Sequence, residues 1–459
     1  MAQHVFQPPT GTRDLYPIEA ARRRFIMEAW RRVSINHGFE EIDGPTFEHL
    51  DLYKVKSGEG IVNELFSFTR AGGEKDYALR PEFTPTLARM YAAKAASLPK
   101  PTKWFTAGPF FRAERPQRGR LREFLQWNCD IMGLALPEKP TEADIRAAKA
   151  RADTELLACM AGFLSELGLS PRDCQIRFNS REVLERRMDG AQIPAERRAA
   201  VMGFLDGYSK LDEAERRRRA QELQLSDAQI GQLLQAPVVR DGVAVMFAEI
   251  DELIGGLIDA DVTSELEDWL KYDPSIARGL AYYTGMVFEV IVDGERAVAG
   301  GGRYDNLIEL FGGPPTPAVG FGMGDVVLSL VLQDKGLMPS DDELLGLAGQ
   351  NPDVFVISNG TPEADGALPG VLASLRRGEP RAPASNAPPL AGLHARRSYK
   401  TTKNVGKLLQ DAVKARARFA VIIESATEAT IKDLKSGIQD QHKTPLAALV
   451  AEIRARRGT

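Results

Sequence analysis

Phe111-Arg112-Ala113-Glu114-Arg115-Pro116-Gln117-Arg118-Gly119-Arg120-Leu121-Arg122-Glu123-Phe124 sets five arginines around a centre that holds Pro and Gly. The apolar residues on either side predict strands over 103–111 and 122–132. The segment therefore reads as two strand ends joined by a basic loop. Forked guanidinium donors on such a loop suit a polyphosphate. An exposed hairpin with no ligand has the same composition, but the flanking apolar strands draw Arg112 inward.

Toward the N-terminus, Ala20, Phe25, Ile26, Ala29, Trp30 and Val33 recur among arginines, which predicts an amphipathic helix over 17–37. A short strand at 39–42 lies between Gly38 and Pro45. Residues 66–80 read as a hairpin turning at Ala71-Gly72-Gly73, and 84–96 as a helix with Pro85 near its start. Toward the C-terminus, a long helix is expected over 143–167, ending at Gly168. Residues about 185–270 read as a helical insertion with no strand before Tyr272. A hairpin follows over 282–293 and 296–299 around Asp293-Gly294. Then come Gly300-Gly301-Gly302 and a helix over 321–333. Residues 336–352 are polar, with Gly and Pro, and read as a linker. Beyond it, Val354-Phe355-Val356-Ile357 and Phe419-Ala420-Val421-Ile422-Ile423 are buried-strand runs of an α/β layer. Residues 380–389 read as a loop.

With 459 residues, two or three domains are expected. Hydrophobic residues at 43% and charged residues at 27% describe an ordinary globular chain. No apolar run approaches the roughly 20 residues of a membrane span. Residues 1–9 lack a basic segment followed by an apolar one, so no secretory signal is expected. Three cysteines, Cys129, Cys159 and Cys174, are too few for a disulfide frame or a zinc site. A reducing, cytoplasmic setting fits. The net charge of −4 hides an asymmetry. Residues 353–459 carry 17 Lys and Arg against 10 Asp and Glu, a balance of +7 that leaves −11 for the rest. That module is a solvated basic surface or a polyanion-binding one.

The basic segment resembles motif 2 of class II aminoacyl-tRNA synthetases, in the form found in the histidine enzymes. Ala277-Arg278-Gly279-Leu280-Ala281-Tyr282-Tyr283-Thr284-Gly285 and Ala299-Gly300-Gly301-Gly302-Arg303-Tyr304-Asp305 resemble the two histidine signatures. Leu79-Arg80-Pro81-Glu82-Phe83-Thr84 resembles the substrate-binding turn. Pro8-Pro9-Thr10-Gly11-Thr12-Arg13-Asp14 resembles the family's N-terminus, and the stretch from His37-Gly38-Phe39 to Pro45 its dimer-forming motif 1. Arg418 to Ile423, followed by Lys432-Asp433-Leu434, resembles an anticodon-binding domain. The motifs stand in the family's order over nearly the whole chain.

The resemblance implies an α+β fold. Its catalytic core, 1–335, would hold an antiparallel six-stranded sheet with flanking helices and the helical insertion. An α/β anticodon-binding domain would occupy 353–459. It further implies a homodimer, no membrane, and L-histidine, ATP with Mg2+ and tRNA(His) as partners. Arg112 and Arg278 would press on the α-phosphate from opposite sides, with Glu114 and Arg120 also at ATP. Glu82 would meet the histidine ammonium, near Thr84 and Gln126. Asp130, standing where the family has Glu, reaches about one methylene less. Tyr282 and Tyr283 would alternate across a strand, one facing the pocket and one packing, with Tyr283 the imidazole contact. Tyr304 would form the pocket's wall and Gly300 to Gly302 its floor. Each has an ordinary alternative: a surface arginine at 278, core packing for the tyrosines, a bulged strand for the glycines. No residue identifies itself as a magnesium ligand.

Two positions depart from the family pattern. In Gly320-Phe321-Gly322-Met323-Gly324-Asp325-Val326-Val327, Val327 replaces the arginine of motif 3, which stacks on adenine and touches the γ-phosphate. Either Arg118, Arg120 or magnesium supplies that charge, or ATP binding is impaired. Ala281 stands where the family commonly has a carboxylate. The missing arginine favours a second resemblance, to a catalytically inactive regulatory subunit of ATP phosphoribosyltransferase. Arg112, Arg278 and the basic C-terminal module favour the synthetases.

Overall fold

The computed structural model describes residues 6–57, 59–208, 211–235, 238–240, 243–245, 264–276, 282–292, 297–378 and 391–457. The chain divides into two units. One comprises Met1–Asp14 and Ile26–Met338, the other Leu15–Phe25 and Pro339–Thr459.

Thirteen strands are described in the first unit. In chain order they are β1 Glu40–Glu41, β2 Phe47–His49, β3 Ser67–Thr69, β4 Asp76–Leu79, β5 Thr102–Phe111, β6 Glu123–Met132 and β7 Cys174–Ser180. They continue with β8 Val238–Arg240, β9 Val243–Val245, β10 Leu270–Tyr272, β11 Met286–Val292, β12 Ala299–Arg303 and β13 Ala318–Gly324. The main sheet runs β1-β5-β6-β13-β12-β11-β7-β10. It therefore has eight strands where six were expected. The block β5-β6-β13-β12-β11-β7 is antiparallel, and β1 and β10 join its edges in parallel. β1 falls within the strand expected at 39–42. The three-residue β10 leaves little sequence signal. β7 was also missed, because its alternation of Ile176 and Phe178 with Arg177 and Asn179 spans only a few residues between helical stretches.

Alternation sorts the two faces of this sheet. On β6, Trp127 faces the layer that holds Phe163 of the helix Glu142–Glu166, ring centroids 4.9 Å apart. Trp30 stacks on Trp127 at 6.1 Å, and the Trp127 indole N–H donates to Ser34 Oγ at 2.9 Å. The long helix begins at a Thr141–Asp144 capping box. Arg303 of β12 is fastened to it by a buried ion pair with Asp153 at 2.6 Å. Phe124, Gln126, Asn128 and Asp130 therefore project from the opposite face.

The insertion is less uniformly helical than expected. Helices Arg181–Gly190, Ala195–Gly207, Glu213–Glu222 and Asp227–Leu233 are followed by the β8–β9 hairpin. Leu184, Val201, Phe204 and Leu205 contribute to a separate apolar cluster among these helices. The expected helix at 321–333 starts later, at Asp325, because Gly320, Gly322 and Gly324 keep the chain in β13. The expected strand at 282–293 begins only at Met286, and its partner is the glycine run itself. The Asp293-Gly294 turn and the 380–389 loop lie outside the described residues.

In the second unit, β14 Val354–Ser358, β15 Ala395–Arg397, β16 Phe419–Ile423, β17 Glu428–Asp433 and β18 Thr444–Pro445 form a sheet in the order β15-β14-β16-β17-β18. β14 pairs in parallel with both β15 and β16, whereas β17 is antiparallel to β16. Every residue of β14 and β16 is buried, as continuous apolar runs require. The stretch expected as a linker holds a helix, Asp341–Leu347. Ser340 and Glu343 form its capping box, and Leu344 anchors it.

Candidate active site

A cavity of about 1050 Å³ lies against the face of the main sheet that carries Gln126 and Asp130. Register explains its floor. Asp130 of β6 stands opposite Gly320 of β13, Gly320 opposite Gly302 of β12, and Gly302 opposite Val287 of β11. One row on, Asn128, Gly322, Gly300, Glu289 and Arg177 cross five strands in sequence. Two central strands thus present glycine to the cavity. Side chains rise on both sides: Gln126, Asn128 and Asp130 on one, Glu289 and Arg177 on the other.

Gly302 is sterically required, and Gly322 is tightly covered. A Cβ on Gly302 would lie 2.5 Å from Met286 O and 2.9 Å from the Tyr283 ring. On Gly322 it would lie 3.0 Å from Gln126 Nε2. Tyr283 and Tyr304 are both buried and both line the cavity, so packing and pocket roles coincide. Tyr282 and Tyr283 precede β11 rather than alternating along it. Their rings lie 4.5 Å apart instead of on opposite faces. Tyr283 lines the cavity, while Tyr282 packs against the core cluster that holds Tyr283 and Tyr304.

Tyr304 donates its hydroxyl to Asp130 Oδ1, with both side chains buried. Burial, reinforced by the charge of Asp130, pushes the phenol well above its ordinary pKa. The hydroxyl is thus a fixed donor to the carboxylate. Gln126 Nε2 donates to Asn128 Oδ1 at 2.9 Å, and Asn128 Nδ2 to Phe321 O at 3.2 Å.

At the other end, Arg112 lies with its guanidinium 5.0 Å from the Phe124 ring centroid, and its Nε donates to Pro81 O at 3.2 Å. Burial lowers its pKa from the ordinary value, against the raising influence of Glu82 and Glu114. Glu114 and Arg120 pair across the hairpin. Gln117 and Arg120 exchange backbone bonds of 3.0 and 2.8 Å at its tip. Glu82 and Thr84 line the cavity beside Arg112. Their turn is held by Arg80, buried at 1% exposure. Its guanidinium donates to Pro109 O at 2.9 Å, Asp43 Oδ1 at 2.8 Å and Gly44 O at 3.0 Å.

The structure thus brings Glu82, Thr84, Arg112, Arg120, Gln126, Asp130, Tyr283 and Tyr304 to one cavity. Glu114 contacts it through Arg120. Arg278, with 277 and 279–281, lies outside the described residues. Val326 and Val327 line the cavity too, so the apolar replacement in motif 3 faces the site. Sequence reading missed Asn128, Arg177 and Glu289. Glu289 is the lone polar residue of an apolar strand, and Asn128 and Arg177 stand at polar positions of alternating strands, which is the signal that marks them. Among the described residues no group of three or more His, Cys, Asp or Glu is placed to hold a metal ion.

The sequence profile described as histidyl-tRNA synthetase matches residues 11–324, more than half of the chain. The histidine–tRNA ligase of Opitutus terrae is 38% identical over 387 residues, covering 80% of this chain and 83% of that protein. The chain belongs to the histidyl-tRNA synthetase family. A second relative, the histidine–tRNA ligase of Natronomonas pharaonis, is 35% identical over 458 residues, 96% of each chain. The fold matches that of the histidyl-tRNA synthetase from Nostoc sp. PCC 7120, with a TM-score of 0.71, 24% identity, and coverage of 98% of this chain and 99% of that one. In this member of the histidyl-tRNA synthetase family, the arginine loop, the glycine floor and the Asp130–Tyr304 pair line one continuous cavity.

Proposed function

We propose that this chain ligates L-histidine to tRNA(His) in an ATP-dependent reaction through a histidyl-adenylate. The observation that carries this reading is the single cavity that runs from Arg112 and Arg120 to Asp130, Tyr283 and Tyr304. Cations for a triphosphate and polar groups for an imidazole share a floor low enough for both substrates to lie against the backbone.

In this reading the histidine ring lies between Tyr283 and the Asp130–Tyr304 pair, and its ammonium meets Glu82, with Thr84 and Gln126 beside it. Its carboxylate attacks the α-phosphate in line. Arg112, with Arg278 opposite, stabilises the charge that spreads over the phosphoryl oxygens. The terminal ribose hydroxyl of tRNA then attacks the acyl carbon. Neither step needs a protein nucleophile; the site acts by positioning and charge. Magnesium enters as the companion of the substrate ATP on its β- and γ-phosphates. Val327 leaves phosphate neutralisation to Arg118, Arg120 and that ion.

The same reading makes 1–335 the class II catalytic core, with 185–270 its insertion, and the basic α/β module 353–459 the anticodon-binding domain. It makes the protein a cytoplasmic homodimer. An exposed aromatic face supports the dimer: Phe47 is 50% and Phe68 44% accessible, and both pack edge-on or stacked against Tyr77. No described helix is long and apolar enough to cross a membrane.

Exchange of labelled pyrophosphate into ATP by the purified protein tests the reading. Exchange with histidine and with no other amino acid is expected. Histidine binding without exchange would transfer the chain to the regulatory-subunit reading.

A further inference from the structure

The N-terminal segment lies on the arginine loop. Thr12 closes a turn on Pro9 O, with its N–H at 3.0 Å and its hydroxyl at 2.7 Å. Gly11 O then accepts the N–H groups of Arg122 at 2.8 Å and Glu123 at 3.4 Å, and Thr10 O accepts the Arg122 guanidinium at 3.4 Å. The approach is close. Gly11 has φ +87°, and a Cβ there would lie 2.7 Å from Pro116 and 2.9 Å from Arg122 side-chain atoms. This is the strand by which the chain returns from the loop: Arg122 O accepts the N–H of Arg112 at 2.9 Å, and its guanidinium donates to Glu114 O at 3.2 Å.

An ion pair adds to these bonds. Arg13 donates to Asp325 Oδ2 at 2.8 Å. Asp325 is 4% exposed, and its other oxygen accepts the backbone N–H of Leu125 on β6 at 2.9 Å. A single buried carboxylate therefore clamps three distant segments: the N-terminus, the return strand of the loop, and the first turn of the helix Asp325–Asp334. Its chain neighbours Gly324 and Val326 line the cavity.

We infer that Arg13, through Asp325, is a positioning residue for ATP. It fixes the Thr10–Gly11 backbone against Arg122 and so sets where Arg112 and Arg120 sit. The inference rests on the ATP-dependent reading above. Loss of the pair loosens the phosphate end of the cavity more than the Asp130–Tyr304 end, because the bonds of Arg13, Thr10 and Gly11 run to Asp325, Arg122 and Glu123.

Pyrophosphate exchange, with ATP and histidine varied separately, tests it on the full chain. Arg13→Ala is expected to raise KM for ATP five- to tenfold, with KM for histidine within twofold of the parent. Asp325→Asn keeps an acceptor for Leu125 and loses the ion pair, so it should reproduce the same split. The double variant should be no worse than either single one, since both remove one interaction. Arg13→Lys, which keeps a cation, should recover part of the ATP affinity. An unchanged KM for ATP in Arg13→Ala, or equal changes in both KM values, overturns the inference. Absence of histidine-dependent exchange in the parent protein instead overturns the underlying reading.

Discussion

Asp130 lies over Gly320 so closely that a Cβ on the glycine would be 1.9 Å from the carboxylate Oδ1. That oxygen is the one that accepts the Tyr304 hydroxyl. The two residues stand opposite each other on β6 and β13. A carboxylate, a phenol and a bare stretch of backbone thus interlock at the proposed imidazole end of the site.

Gly320→Ala therefore forces Asp130 to turn away from Tyr304. Overpacking and a buried carboxylate stripped of its donor each cost about 1–3 kcal/mol. Urea unfolding should show a loss of that order, and KM for histidine in the exchange assay should rise at least tenfold. Parent-like values of both would mean that Asp130 is free to move without consequence.

Arg112→Ala should lower kcat for exchange by about 10²–10³-fold, the usual effect of deleting one preorganised donor at a charged transition state. Histidine affinity, read by calorimetry, should change far less. Arg112→Lys should rescue little, because a lysine lacks the planar fork that lies beside Phe124 and reaches Pro81 O.

Burial, and next the positive charge of Lys103, hold His37 below its ordinary pKa of 6.5, with Glu155 opposing. The unfolded chain thus takes up a proton near pH 6.5 that the fold resists. The contribution of this residue to stability is fully present above that pH. It is lost as pH falls from about 6.5 toward the lower folded value. The stability of the parent minus that of His37→Gln should be level between pH 7.5 and 8.5 and turn downward below 6.5. A difference that is flat to pH 5 would show that His37 titrates alike in both states.

On the proposed reading, in which the basic module 353–459 binds tRNA, charging is expected to be sensitive to salt and adenylation much less so. Raising salt from about 50 to 200 mM should weaken apparent tRNA affinity about tenfold or more, as counterions compete for its phosphates. KM for histidine over the same range should stay within twofold. Equal salt sensitivity of both steps would argue against a phosphate-binding role for this unit.

Much of the site was legible in the chain itself. Composition and period marked a basic loop between two strands, with Arg112 drawn inward, and a glycine run at 300–302. The places of Glu114, Arg120, Asp130, Tyr283 and Tyr304 came from the resemblance to the synthetase motifs. The same local reading placed Tyr282 on a strand it precedes and took 321–324, the end of a glycine-rich strand, as the start of a helix, because glycine carries no β-forming signal.

Only the tertiary structure decided which strands are neighbours. That Gly320 faces Asp130, that Gly302 meets the Tyr283 ring, and that Arg13 reaches Asp325 are matters of register between segments far apart in the chain. A slip of one residue in any of these pairings would send each side chain to the other face. Strand register is selected by the joint burial of Trp127, Phe163 and Phe321 beneath the sheet, a cooperative packing that no single segment encodes.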